Sequence, residues 1–63
     1  MNLKGIVTSV ESSGARVTFM DRNNVVSPVL SSANHVGELK INDNVVVTFF
    51  TDNMTDGLII AKF

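Results

Sequence analysis

The chain has no cysteine, tryptophan or tyrosine, a single proline (Pro28) and a single histidine (His35). Without cysteine no disulfide can brace the fold, and the composition is consistent with a reducing compartment. One imidazole and no thiolate also exclude a closed structural zinc site. The longest uninterrupted apolar stretches are Val45–Val47 and Leu58–Ala61, far below the roughly 20 residues needed to cross a bilayer as a helix. The opening residues, Met1-Asn2-Leu3-Lys4-Gly5, form no apolar core of signal-peptide length, so synthesis in the cytoplasm is expected. Positive charge is also sparse. Lys4, Arg16, Arg22, Lys40 and Lys62 are scattered through a chain of net charge −1, not clustered as a polyanion-binding stripe requires.

What remains is a 63-residue chain that is 44% hydrophobic, dominated by valine, isoleucine and leucine. It makes one domain, residues 1–63, too small to bury more than about 60% of the surface its unfolded form exposes. Domains of this size lean on tight packing or on a partner subunit.

Five segments read as strands. Leu3–Glu11 puts Ile6, Thr8 and Val10 on one face, and Ser12-Ser13-Gly14 supplies a tight turn in which Gly14 can take a positive φ. Ala15–Met20 alternates, with Ala15, Val17 and Phe19 on one side and Arg16, Thr18 and Met20 on the other. These two form a hairpin. Asp21-Arg22-Asn23-Asn24 turns the chain into a third strand, Val25–Leu30, where Pro28 predicts an edge or a bulge because it cannot donate to a ladder. Ser31–Lys40 is irregular, with room for one helical turn over 32–36 ended by Gly37, or for a plain loop. Asn42-Asp43-Asn44 opens the fourth strand, Val45–Phe50, and Gly57 releases the fifth, Leu58–Phe63.

Five short antiparallel strands predict an all-β, five-stranded barrel, which closes the sheet edges that would otherwise invite aggregation. The longer connection between the third and fourth strands lies where an OB barrel carries its helix, which favours an OB-like barrel. Its shortness leaves an SH3-like barrel as the alternative.

The last two strands carry more apolar residues than one core face needs. Val45, Val47 and Phe49 occupy one face of the fourth strand, yet Val46 and Phe50 occupy the other. In the fifth, Leu58 and Ile60 oppose Ile59, Ala61 and Phe63. A strand covered on one side alone alternates polar with apolar. The surplus points to a second buried surface, and Val46, Phe50, Ile59 and Phe63 are the candidate interface with another copy or another protein.

No catalytic constellation is readable. His35 lies near Ser31, Ser32 and Glu38, but no nucleophile elbow of the form G-x-S-x-G is present, and a solvated loop histidine is the simpler reading. Asp43, Asp52 and Asp56 fall in turns, where aspartate serves the backbone, with no EF-hand spacing. The four glycines are isolated, so there is no phosphate-cradling loop, and no cofactor, metal or small-molecule ligand is expected. Single-stranded nucleic acid is the alternative partner, through Arg16, Arg22 and Lys40. It calls for outward aromatics among basic residues, whereas the four phenylalanines fall in alternating or strongly apolar strands.

Gly5-Ile6-Val7-Thr8-Ser9-Val10 and Gly14-Ala15-Arg16-Val17-Thr18-Phe19 resemble the opening strands of the OB domain in phage contractile-tail spike and baseplate proteins, with patterns G-x-V-x-x-V and G-R-V-x-V-x-F. Ser27-Pro28-Val29-Leu30 is similar to their third strand. Asn42-Asp43-Asn44-Val45-Val46-Val47-Thr48-Phe49 resembles their v-G-D-x-V-x-V-x-F segment, and Asp56-Gly57-Leu58-Ile59-Ile60-Ala61 their closing strand. Asn42 and Ala61 stand where that family has glycine. Spike proteins of this kind continue into a β-helix or needle, which these 63 residues do not contain. The resemblance therefore implies at most a non-catalytic adaptor or hub, incorporated into a phage or prophage tail-like assembly by protein–protein contact, with a free-standing bacterial or prophage-encoded barrel as the equal alternative.

Overall fold

A computed structural model describes all residues from Met1 to Phe63. Its elements are six strands and three single-turn 3-10 helices, with no α-helix. The strands are β1 (Asn2–Glu11), β2 (Gly14–Phe19), β3 (Val25–Val26), β4 (Ser31–Ser32), β5 (Asn44–Phe49) and β6 (Gly57–Lys62). They form one sheet in the order β3-β2-β1-β5-β6-β4, curled into a half-barrel.

The all-β reading holds, but the closed five-stranded barrel does not. The third run, expected over Val25–Leu30 with an edge or a bulge at Pro28, keeps only Val25–Val26 as β3; the chain breaks at Pro28, which has no N–H for a ladder, and β4 starts past the run's expected end. Ser27 marks the break. Its backbone N–H still donates to the Val17 carbonyl at 2.8 Å. The Val17 N–H, however, donates to the Ser27 hydroxyl at 3.0 Å, and that hydroxyl donates to the Pro28 carbonyl at 2.7 Å. Beyond the break, Ala15 and Leu30 exchange two backbone bonds of 3.0 and 2.8 Å as an isolated bridge, and β4 then pairs in parallel with β6.

β1 is long enough to serve two neighbours. Asn2–Ile6 pair with β5 and Ile6–Glu11 with β2, with a register slip between Val7 and Ser9. Gly5 sits where the strand presses on β2: a Cβ there would lie 2.9 Å from the Thr18 carbonyl oxygen and against the Val17 side chain. Gly14 takes a φ of +154°, as its turn position led one to expect, and a Cβ there would run into the Leu30 backbone.

Ten apolar side chains fill the interior: Val7, Ala15, Val17, Phe19, Leu30, Val36, Val45, Val47, Phe49 and Ile59. The alternation read in the second and fourth strands therefore points inward as expected. Phe19 and Phe49 meet edge to face, with ring centres 5.8 Å apart. The irregular connection forms one 3-10 turn, Asn34–Val36, followed by Gly37. That turn shields the edge of β6 that short β4 leaves open. Ala33 N–H donates to the Ile59 carbonyl at 2.8 Å, His35 Nε2 lies 2.7 Å from the Ile60 carbonyl, and Lys62 Nζ donates to the Glu38 carbonyl at 2.6 Å. No helix is long and apolar enough to cross a membrane.

Candidate interaction surface

Opposed residues in an antiparallel ladder share a face, so register assigns the outer surface. Lys4 pairs with Val46 and Val46 with Ala61, while Ile6 pairs with Asn44 and Phe63 N–H donates to the Asn44 carbonyl at 2.9 Å. Lys4, Ile6, Asn44, Val46, Ala61 and Phe63 therefore lie on one outer face spanning β1, β5 and β6. Val46 is half-buried there and Phe63 is 70% exposed.

Ile59 does not belong to this face. It is fully buried in the core, which corrects its assignment to the interface. The cause is a register slip between Val46 and Val47. Val47 pairs with Ile59 and Val46 with Ala61, leaving Ile60 as an extra residue. One inserted residue reverses the alternation, so Ile59 follows Val47 inward while Ala61 and Phe63 follow Val46 outward. Phe50 is 69% exposed, but it lies past the end of β5 on the approach to the Thr51–Asn53 turn, apart from Val46 and Phe63.

A shallow groove crosses the outer side of β1. Phe63, Ile6 and Met20 provide its apolar walls, Gly5 and Asn44 its polar backing, and Lys4 and Asp21 its charges. A second apolar groove at the N-terminal end of β1 is lined by Met1, Leu3, Phe19, Val25 and Met54, with Arg22 and Asp52 among its polar members. A third is polar, with Ser12, Ser13, Ser31 and Ser32 around Gly14 and Gly37. Ile6 and Met20 were not singled out from the sequence as surface-forming residues; Ile6 stands on the outward side of β1, and Met20 opens the 3-10 turn after β2.

The candidate nucleic-acid residues are not gathered into one cleft. The Arg16 guanidinium pairs with Glu11 at 3.1 Å, the single ion pair of the molecule, and reaches the Ser27 carbonyl at 3.5 Å. Arg22 leans on the Met1 sulfur at 3.4 Å, and Lys40 opens a turn in which its N–H donates to Asp43 Oδ2 at 2.9 Å. No cleft contains two of the three. Asp43 serves its own turn in that bond, and nowhere do three histidine or carboxylate side chains converge as metal ligands would.

No protein-family model matches this chain, and no curated protein or solved structure matches it.

Proposed function

We propose that this domain is a non-catalytic assembly module, an OB-like barrel that works by protein–protein contact as a small component of a phage or prophage tail or baseplate. The observation that carries the assembly reading is the outer face of β1, β5 and β6. It presents Ile6, Val46, Ala61 and Phe63 together, where a self-sufficient domain would place polar side chains. Burying one large apolar side chain is worth about 1.5–3 kcal/mol. Three or four of them at a contact weigh heavily in a domain whose whole stability, at roughly 0.05–0.15 kcal/mol per residue, is a few kcal/mol.

Connectivity supports the OB-like form over the SH3-like one. Counted as one interrupted run, residues 25–32 pair antiparallel with β2 and in parallel with β6, while β1 is shared between β2 and β5. A meandering SH3-like barrel has no use for that parallel pair. The 3-10 turn between β4 and β5 occupies the position of the OB helix. The phage-tail role rests on the sequence resemblance.

The test is the double substitution Val46→Thr with Phe63→Ser, compared with the parent by sedimentation at several concentrations. Loss of association with an unchanged circular dichroism spectrum supports the reading; association equal to the parent's sinks it.

A further inference from the structure

Among the glycines of the chain, Gly57 alone follows an aspartate or asparagine. Packing fixes its lack of a side chain, because a Cβ there would lie 2.7 Å from Cε1 of the buried Phe49 ring. The Asp56–Gly57 junction therefore sets a carboxyl group beside the least hindered amide nitrogen a chain can offer. Neither group is occupied by the fold. Asp56 is half-buried, and its carboxylate enters no hydrogen bond and no ion pair. The Gly57 N–H is equally free. Phe49, opposite it in β5, spends both backbone groups on Met1: its N–H donates to the Met1 carbonyl at 2.8 Å, and its carbonyl accepts from the Met1 amino group at 3.2 Å. Phe49 and Gly57 are thus a non-hydrogen-bonded pair, and the Gly57 N–H turns away from β5. On its other side β4 begins only at Ser31, opposite Leu58, and no backbone bond outside the ladders takes the Gly57 N–H.

We propose that Asp56–Gly57 is a site of spontaneous modification, where aspartate isomerises to isoaspartate through a cyclic succinimide. The Gly57 nitrogen attacks Asp56 Cγ and a C–N bond forms. The carboxyl hydroxyl leaves with the amide proton as water. A second water then opens the ring. Attack at Cγ restores aspartate, whereas attack at the Asp56 backbone carbonyl leaves Gly57 joined through the side chain as isoaspartate. The reaction is redox-neutral and needs no partner, cofactor or interface. The surrounding turn is held by exposed bonds, from Thr55 N–H and Oγ1 to Asn53 Oδ1 and from Asp56 N–H to the Asn53 carbonyl, so it belongs to the part of the molecule that opens most easily. The other aspartates lack this combination. Asp21, Asp43 and Asp52 precede Arg22, Asn44 and Asn53, whose side chains hinder the attack, and the Asp43 carboxylate is also held by the Lys40 N–H at 2.9 Å. Isoaspartate adds one methylene to the main chain where β6 begins. It also displaces the Asp56 carbonyl that accepts from Phe50 N–H at 3.3 Å and closes the β5–β6 hairpin.

Ageing the full chain at neutral pH and physiological temperature tests the site, with urea-denatured chain incubated in parallel. Peptide mapping with methyltransferase labelling of isoaspartyl groups reads the product, and intact mass reads the succinimide as a species lighter by one water. Isoaspartate should accumulate in the peptide containing Asp56 and Gly57 and not at Asp21, Asp43 or Asp52. The folded chain should convert within about tenfold of the denatured rate, because a surface turn opens at little cost. Asp56→Glu, whose larger ring closes far more slowly, should abolish the labelling while leaving the circular dichroism spectrum unchanged. Slower conversion than that in the folded chain would mean that the turn holds the carboxyl away from the Gly57 nitrogen, and would overturn the proposal. Equal labelling at the other aspartates, or labelling that survives in Asp56→Glu, would overturn it as well.

Discussion

Ser27 is the one fully buried polar side chain in the core region, and removing its hydroxyl should cost more than its size suggests. The oxygen accepts from the buried Val17 N–H and donates to the Pro28 carbonyl. Ser27→Ala leaves the Val17 donor without a partner, in a place water does not reach. An orphaned buried donor costs about 1–3 kcal/mol. The Pro28 carbonyl is only partly buried and can turn to solvent, so it adds little. A net loss of about 2 kcal/mol follows, out of a total of roughly 3–9 kcal/mol for a domain of this length. With a urea m-value near 1 kcal/mol/M, the unfolding midpoint should fall by about 2 M. The thermal midpoint should fall by roughly 8–16 °C. Urea titration at low micromolar protein, where association is least, reads the effect. A loss under about 0.5 kcal/mol would refute the reasoning. It would mean that the ladder recloses through the Ser27 carbonyl and that the hydroxyl does not hold the break between β3 and β4.

The remaining predictions separate core from surface. Ile59→Ala should destabilise by about 2–5 kcal/mol because it opens a cavity against Val47, whereas Phe50→Ser should change monomer stability by less than about 0.5 kcal/mol; equal effects in chemical denaturation would contradict the inward register of Ile59. Gly5→Ala should cost about 1–3 kcal/mol through overpacking against Val17 and the Thr18 carbonyl, measured the same way, and a neutral result would mean that β1 and β2 separate easily there. Glu11→Ala should cost less than about 1 kcal/mol, because its pair with Arg16 is solvent-exposed, and added salt should shrink even that difference.

Much of the fold was legible because period-2 alternation survives wherever a strand is regular. Ala15, Val17 and Phe19 on β2, and Val45, Val47 and Phe49 on β5, point inward as their spacing demands. What the sequence hid was irregularity. The slip opposite Ile60 has no glycine or proline to announce it, and it alone moved Ile59 from the expected interface into the core. Pro28 did announce a break. The hydroxyl of Ser27 completes that break, shortening the expected Val25–Leu30 strand to Val25–Val26, and a separate short strand, Ser31–Ser32, follows with a different partner. The candidate surface was half legible. Val46 and Phe63 stood out as apolar residues on the wrong face, but Lys4 joins them only through the pairing of β1 with β5, and Met20 and Asp21 through the 3-10 turn that follows β2. Phe50, equally apolar, falls past the strand end, where alternation no longer assigns a face.

The central claim is that the outer apolar face is an interface, and sedimentation equilibrium from low to high micromolar protein, at two salt concentrations, tests it most directly. The account predicts a concentration-dependent rise in mass from one chain of 6.8 kDa to a defined oligomer. Higher salt should change it little, because an apolar contact is not screened. A single species of monomer mass across the whole range would contradict it.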